Sequence, residues 1–229
     1  MTSILISGCE RTVEENELNE IVKHDPNIDT SVSYLALGDS YTFGQGVSVS
    51  DRWPVQLSQQ IEQETSLGVR VEIIAQSGWT TSDLIRAIES YQVDSAEYNL
   101  VSLLIGVNNQ YQDRPFSLYE SEFDSLLQTA IEIAGGKANV FVVSIPDYGV
   151  TPIGSTNSET IAREIDQYND YAKSVCRDAD IPFIDITSIS RELGASSGAL
   201  ASDNLHPSGY QYSLWTDRIL QKVLELIED

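Results

Sequence analysis

Soft and basic side chains are scarce in this chain. Of 229 residues only two are cysteines (Cys9 and Cys176), two are histidines (His24 and His206) and one is methionine. Scattered like this, the cysteines and histidines build neither a structural zinc site, which needs clustered ligands, nor a disulfide framework. Lys and Arg total 13 against 35 Asp and Glu, a formal charge of −22. A polyanion is repelled by such a field, and no Lys/Arg stripe offsets it, so nucleic acid is excluded as a partner. The acidity reads as a strongly hydrated surface. No apolar run approaches the ~18 residues of a membrane span, and the longest candidates, around Leu100 to Val107 and Val140 to Ile145, have strand length. A chain of 229 residues suits one ample α/β domain. It can remove roughly 70% of its unfolded surface from water and needs no covalent staple.

At the N-terminus, Ile6-Ser7-Gly8-Cys9 resembles a bacterial lipobox, in which small residues precede a cysteine that is lipidated. The match is partial. Residues 1–5 contain no Lys or Arg, and Ile4-Leu5-Ile6 is shorter than the ~7–15 apolar residues of a signal segment. Either the chain starts inside a longer precursor whose Cys9 carries a lipid, or the likeness is chance. The first reading implies the periplasm or cell envelope, with membrane contact only through Cys9; the second implies the cytoplasm. Residues from Glu10 to about Ser31 are rich in Glu, Asn and Asp without helical periodicity, as in a tether. The expected division is therefore a tail over 1–31 and a folded domain over 32–229. His24, within the polar stretch, is expected to be an exposed bystander.

From Val32 the pattern is regular. Five short apolar runs, Tyr34–Leu37, Val69–Ala75, Leu100–Ile105, Val140–Ile145 and Phe183–Ile186, predict strands. Helical spacing lies between them: Trp53, Leu57 and Ile61; Leu84, Ile85 and Ile88; Leu126, Leu127, Ala130, Ile131 and Ala134; Ile161, Ile165, Tyr168, Ala172 and Val175. Ser117 and Glu120 have capping-box spacing before the third helix. A last helix is expected from about Ser208 to Ile227, with Tyr212, Trp215, Ile219, Val223 and Ile227 on one face. Strand and helix alternating in this way predict a three-layer α/β/α domain around a five-stranded parallel sheet. Trp53 and Cys176 fall on apolar helix faces and are expected in the core.

Ligands of such sheets bind beyond the carboxyl ends of the strands. The segments just past the strands are therefore informative: Gly38-Asp39-Ser40-Tyr41, Gln76-Ser77-Gly78-Trp79, Gly106-Val107-Asn108-Asn109 and, past a loop after the fifth strand, Asp203-Asn204-Leu205-His206. A hydroxyl, a glycine, an asparagine and an Asp/His pair thus share one rim. An acyl-transfer enzyme needs such parts: a nucleophile, an imidazole to take its proton, a carboxylate to orient the imidazole, and donors for an oxyanion.

At these residues the chain resembles the SGNH, or GDSL-type, hydrolases, whose four blocks surround a Ser, a Gly, an Asn and a His. Gly38-Asp39-Ser40, Gly78, Gly106-x-Asn108 and Asp203-x-x-His206 occur in that order and span nearly the whole domain. Each block alone is weak, and a turn or a helix cap would explain it; four in order are strong. The departures are Tyr41 in place of the name-giving Leu, and Asn109 where the third block usually carries Asp. Asn109 removes a carboxylate that would order the loop bearing Asn108.

The resemblance implies the flavodoxin-like SGNH hydrolase fold and a carboxylic ester hydrolase. Ser40, Asp203 and His206 would form its triad. The oxyanion hole would comprise the backbone N–H groups of Ser40 and Gly78 and the Asn108 amide. Gly at 78 would let its amide come close to the reacting centre. No metal or cofactor is expected, because only one histidine belongs to the proposed site. Trp79 and Tyr148 are candidates for contacting a small-molecule ester. The long loop Pro146–Asn157 would shape the rim, and the Ser-, Ala- and Gly-rich stretch Arg191–Asn204 could act as a flap. The expected substrates are esters of short to medium acyl chains. Carbohydrate O-acetyl esterase and lysophospholipase activities remain open beside a lapsed enzyme used as a carbohydrate-binding lipoprotein.

Overall fold

The computed structural model describes residues 30–93 and 98–228. The lipobox-like segment at Cys9, His24 and most of the tether fall outside the described residues. Strand β1 (Thr30–Gly38) is followed by one turn of helix, α1 (Ser40–Phe43), and by α2 (Trp53–Thr65). Strand β2 (Gly68–Ala75) leads to α3 (Thr81–Tyr91), and β3 (Leu100–Leu104) to the short α4 (Val107–Tyr111) and the long α5 (Phe116–Ile133). Strand β4 (Val140–Val143), α6 (Ser158–Ala179), the two-residue β5 (Phe183–Ile184), α7 (Thr187–Leu193) and α8 (Gly209–Glu228) complete the order.

The five strands are all parallel and lie in the order β2-β1-β3-β4-β5. Helices α2 and α8 pack together as one layer, and α3, α5 and α6 as the other. The central strands are buried on both faces, so their apolar runs are continuous rather than alternating. Tyr34, Leu35, Ala36 and Leu37 of β1 are all 0% exposed, as are Leu100, Val101, Leu103 and Leu104 of β3. The polar exception, Ser102, is satisfied across the sheet by the Tyr34 hydroxyl at 2.8 Å, and Tyr34 stacks on Phe141. Trp53 and Cys176 are buried, as expected.

Two details differ from the sequence pattern. Helix α5 begins at Phe116 after Pro115, with no side-chain cap, so Ser117 lies inside the first turn, too late to cap. Proline sets that boundary through its fixed φ. The capping box is instead on α3: Thr80 Oγ1 accepts from the Asp83 N–H, and an Asp83 carboxylate oxygen accepts from the Thr80 N–H. The second detail is α7, which no long periodicity announced. Its start is built by the Ser144 hydroxyl, which accepts from the N–H groups of Ile186 and Thr187.

Truncating a buried leucine removes transfer free energy and leaves a cavity. Leu103→Ala, in the middle of the sheet, is expected to lower stability by about 2–5 kcal/mol in urea denaturation.

Candidate active site

In this strand order the chain reverses direction between β1 and β3, which opens a crevice at their carboxyl ends. The two strands stay paired to the last residue, Gly38 opposite Leu104. A Cβ at Gly38 would stand 2.2 Å from Thr42 Oγ1 and 2.6 Å from the Leu104 carbonyl oxygen, so only glycine fits. Asp39 then leaves the strand and caps α1, its Oδ1 accepting from the Tyr41 N–H at 3.0 Å. Ser40 is the first residue of that helix, and Gly44, at φ +76°, closes it after a single turn. The helix therefore starts at Ser40 itself.

His206 arrives from the other end of the chain on a tight loop. Leu200 bridges Pro207, and the Ala201 N–H donates to the His206 carbonyl at 2.8 Å. Leu200 and Ala201, near the end of the stretch read as a flap, are thus joined to the segment that carries His206. Asp203 Oδ1 accepts the N–H groups of Leu205 and His206, each at 3.0 Å, which leaves Oδ2 for the imidazole. His206 Nδ1 lies 2.6 Å from that oxygen, and Nε2 lies 2.9 Å from Ser40 Oγ. Burial alone would raise the Asp203 pKa. The hydrogen bonds from the His206 ring and the two N–H groups, together with the imidazole charge, outweigh it and hold the carboxyl below its ordinary value. The capping role that Asp203 and His206 could have had before α8 is filled by Ser208, whose Oγ accepts from the Gln211 N–H.

Tyr41 also acts on the imidazole. Its buried ring meets that of His206 edge-on, centroids 5.6 Å apart, and packs on Trp215 behind. The ring that replaces the name-giving Leu thus holds the imidazole from the side. No local pattern announces this contact, since the two residues are at opposite ends of the domain.

On the far side of Ser40 stand Gly78 and Asn108. Gly78 has φ +83°, and an added Cβ would meet nothing within 4 Å. The left-handed backbone at 78 is by itself a reason for glycine, beside the close approach of its amide expected from the sequence. Asn108 donates through Nδ2 to the Trp79 carbonyl at 2.9 Å, which fixes the amide plane while the second amide hydrogen has no partner among the described residues. That carbonyl is Trp79's contribution. Its side chain packs partly buried against the core and does not line the cavity. Asn109 is fully buried and does the ordering work expected of a carboxylate. Its Oδ1 accepts the Thr81 N–H at 2.9 Å and its Nδ2 donates to Thr81 Oγ1 at 2.6 Å. The Thr81 hydroxyl donates onward to Glu122. The neutral amide thus ties the Asn108 turn to the helix after Gly78.

Ser40, Gly78, Asn108 and His206 share a cavity of about 180 Å³, completed by Tyr41, Ser77, Val107, Tyr111, Tyr148 and Leu205. Tyr148 is held there by a 2.8 Å hydrogen bond to Gln110 Oε1. The turn before it is held by Asp147, whose carboxylate accepts from the Gly149 N–H and from Arg191. Cys176 is remote from this cavity, and burial pushes its thiol up to about 12. Beneath Ser40, Asp39 is completely buried, and its Oδ2 has no hydrogen-bonding partner among the described residues. Burial raises the carboxyl to about 7, the N–H bond from Tyr41 lowering it only in part.

Residues 36–214 match the model of the GDSL-like lipase/acylhydrolase family. Among solved structures, the chain is similar to TesA (TM-score 0.67, 18% identity, 85% of this chain and 99% of that one). It is also similar to Axe2, an acetylxylan esterase from Geobacillus stearothermophilus (TM-score 0.66, 22% identity, 86% and 95%). A third likeness is to the psychrotrophic esterase EstA from Pseudoalteromonas sp. (TM-score 0.59, 16% identity, 86% and 99%). These share the fold. No curated protein matches the sequence.

The electrostatics of the site can be tested at two positions. Because Asp39 has its folded value raised above the unfolded one, the native state keeps a proton that the unfolded chain has lost between about pH 4 and about pH 7. Stability from this group is thus greatest at low pH and falls as pH rises through that window. Asp39→Asn keeps the capping oxygen, so its stability advantage over the parent should grow from pH 4 to 7 and then level off in urea denaturation at stepped pH. Asn109→Asp would set two carboxylates against the single hydrogen of Thr81. It should cost about 1–3 kcal/mol, with partial recovery in the double variant that adds Glu122→Gln.

Proposed function

The chain belongs to the GDSL-like lipase/acylhydrolase family, and from that premise we propose that it is a serine esterase using Ser40, His206 and Asp203. It is a carboxylic ester hydrolase. The observation that carries the assignment of roles is the unbroken path from Asp203 Oδ2 through His206 to Ser40 Oγ, at 2.6 and 2.9 Å, ending in a cavity that also holds Gly78 and Asn108.

Ser40 Oγ attacks the ester carbonyl while His206 Nε2 accepts its proton. Asp203 keeps the other ring hydrogen on Nδ1 and stabilises the imidazolium. As the tetrahedral intermediate forms, its negative oxygen is met by the backbone N–H groups of Ser40 and Gly78 and by the second amide hydrogen of Asn108. The imidazolium then protonates the departing alcohol, and water, activated by the same imidazole, releases the acid from Ser40. No step needs a metal.

Size sets the acyl range. The cavity holds about 180 Å³, below the ~300–1,000 Å³ of pockets that enclose a drug-sized ligand. That suits the short end of short-to-medium acyl esters, with the alcohol projecting past the rim.

Hydrolysis of p-nitrophenyl acetate and octanoate by the parent and by Ser40→Ala tests this reading. The parent should prefer acetate and be unaffected by EDTA, and a fluorophosphonate should label Ser40, while Ser40→Ala falls to background. Asn108→Ala should lose about 100- to 1000-fold in turnover. The rate should rise with pH as His206 loses its proton; a flat profile from about pH 5 to about pH 9 would remove His206 as the base. An inert parent that takes no label would overturn the esterase assignment.

A further inference from the structure

Helix α4 carries residues with four different duties, and three of them are accounted for: Asn108 faces the cavity, Asn109 binds Thr81, and Gln110 is bonded to Tyr148. The fourth, Tyr111, leaves 63% of its surface in water, whereas most tyrosines of the domain are buried. It stands at the mouth of the catalytic cavity, edge-on to Tyr148 with centroids 6.0 Å apart. Tyr148 is itself immobilised by Gln110, and Gln110 by Glu164 at 2.8 Å. An aromatic face so supported, exposed beside a cavity too small for a whole substrate, is a surface on which the projecting part of the substrate rests.

What rests there is indicated by the ground beyond it. Past Gln110 the surface dips into a second cavity of about 230 Å³. Its walls carry Gln110, Asp113, Arg114, Glu164 and Gln167, and Phe116 and Tyr168 contribute the apolar part. An acyl chain gains nothing from amides, carboxylates and a guanidinium. A pyranose ring does: its C–H faces stack on an aromatic ring while its edge of hydroxyls pairs with planar polar side chains. The net charge of −22 disfavours anionic sugars and phosphates.

We propose that Tyr111 and the groove lined by Gln110, Arg114, Glu164 and Gln167 form a subsite for a neutral sugar, so that the alcohol portion of the substrate is carbohydrate and the scissile group a short O-acyl ester on it. This rests on the serine-esterase reading for the cleavage and is independent of it for the binding.

The experiment compares partially O-acetylated xylo- and cello-oligosaccharides with p-nitrophenyl acetate, using the ratio of kcat/KM for the two substrate types. Tyr111→Ala should lower that ratio about tenfold, mainly through KM, and Tyr111→Phe should restore it. Gln167→Ala and Arg114→Ala should each lower it about three- to fivefold. In parallel, unacetylated xylohexaose and cellohexaose are titrated calorimetrically into Ser40→Ala, with and without Tyr111→Ala; heat of binding that disappears with Tyr111 supports the subsite. An unmoved ratio with no binding overturns it while leaving the esterase intact. Binding through Tyr111 in a protein that cleaves no ester upholds the subsite and fails the esterase. If Tyr111→Ala instead depresses octanoate relative to acetate, the ring serves the acyl chain and the proposal is wrong.

Discussion

The pairing of β1 with β3, held in register until Gly38 faces Leu104, is the constraint on which the rest of the site depends. Parallel strands end on the same edge, so the residues after each are delivered to one place at one height. Asp39 and Ser40 come directly after one strand, and Gly106 to Asn109 after the other. Their separation is thereby fixed by the spacing of two hydrogen-bonded strands in a dry interior. Gly38 is where this constraint is tightest, since any side chain would force apart the ladder that sets the distance. The helix turn at Ser40 and the turn at Gly106 are then short extensions of rigid backbone, which is how a site gains precision from a scaffold.

Most of the fold was legible because a strand buried on both faces has no choice of residues. The runs at 34–37, 100–105 and 140–145 could hardly be anything else. The grouping of Ser40, Gly78, Asn108 and His206 around one cavity was legible for a related reason: ligands of such sheets sit where strands end, and strand ends are visible. Hidden were the contacts that depend on side chains meeting across the fold. Tyr41 against His206, Asn109 against Thr81, and the turn of Trp79's carbonyl toward Asn108 join segments far apart in sequence, and no local pattern encodes them. Helix α7 escaped notice because its start is built by a serine on another strand end. The Ser117 spacing misled because a proline two residues earlier had already set the boundary.

The site also shows two ways of placing a polar group in a dry interior. At 109 the chain uses a neutral amide whose oxygen and nitrogen are both matched, and burial costs little. At 39 it keeps a carboxyl with one oxygen matched, and the protein answers by favouring its protonated form. An ionised Asp39 would leave its unmatched oxygen charged and buried beneath the helix that begins at Ser40. A neutral one caps that helix without the cost of a buried charge.

Finally, the loop from Leu200 to Pro207 holds both the imidazole and the carboxylate, closed on itself by the bridge at its base and by Asp203's own backbone bonds. The His206 imidazole and the Asp203 carboxylate therefore travel together as one insert, which meets the start of the domain at Ser40 and at the Tyr41 ring. Segments on either side are free to change length or composition at no cost to the internal geometry of the pair. In engineering terms the loop is a cassette: it can be tuned, shifted or grafted as a unit.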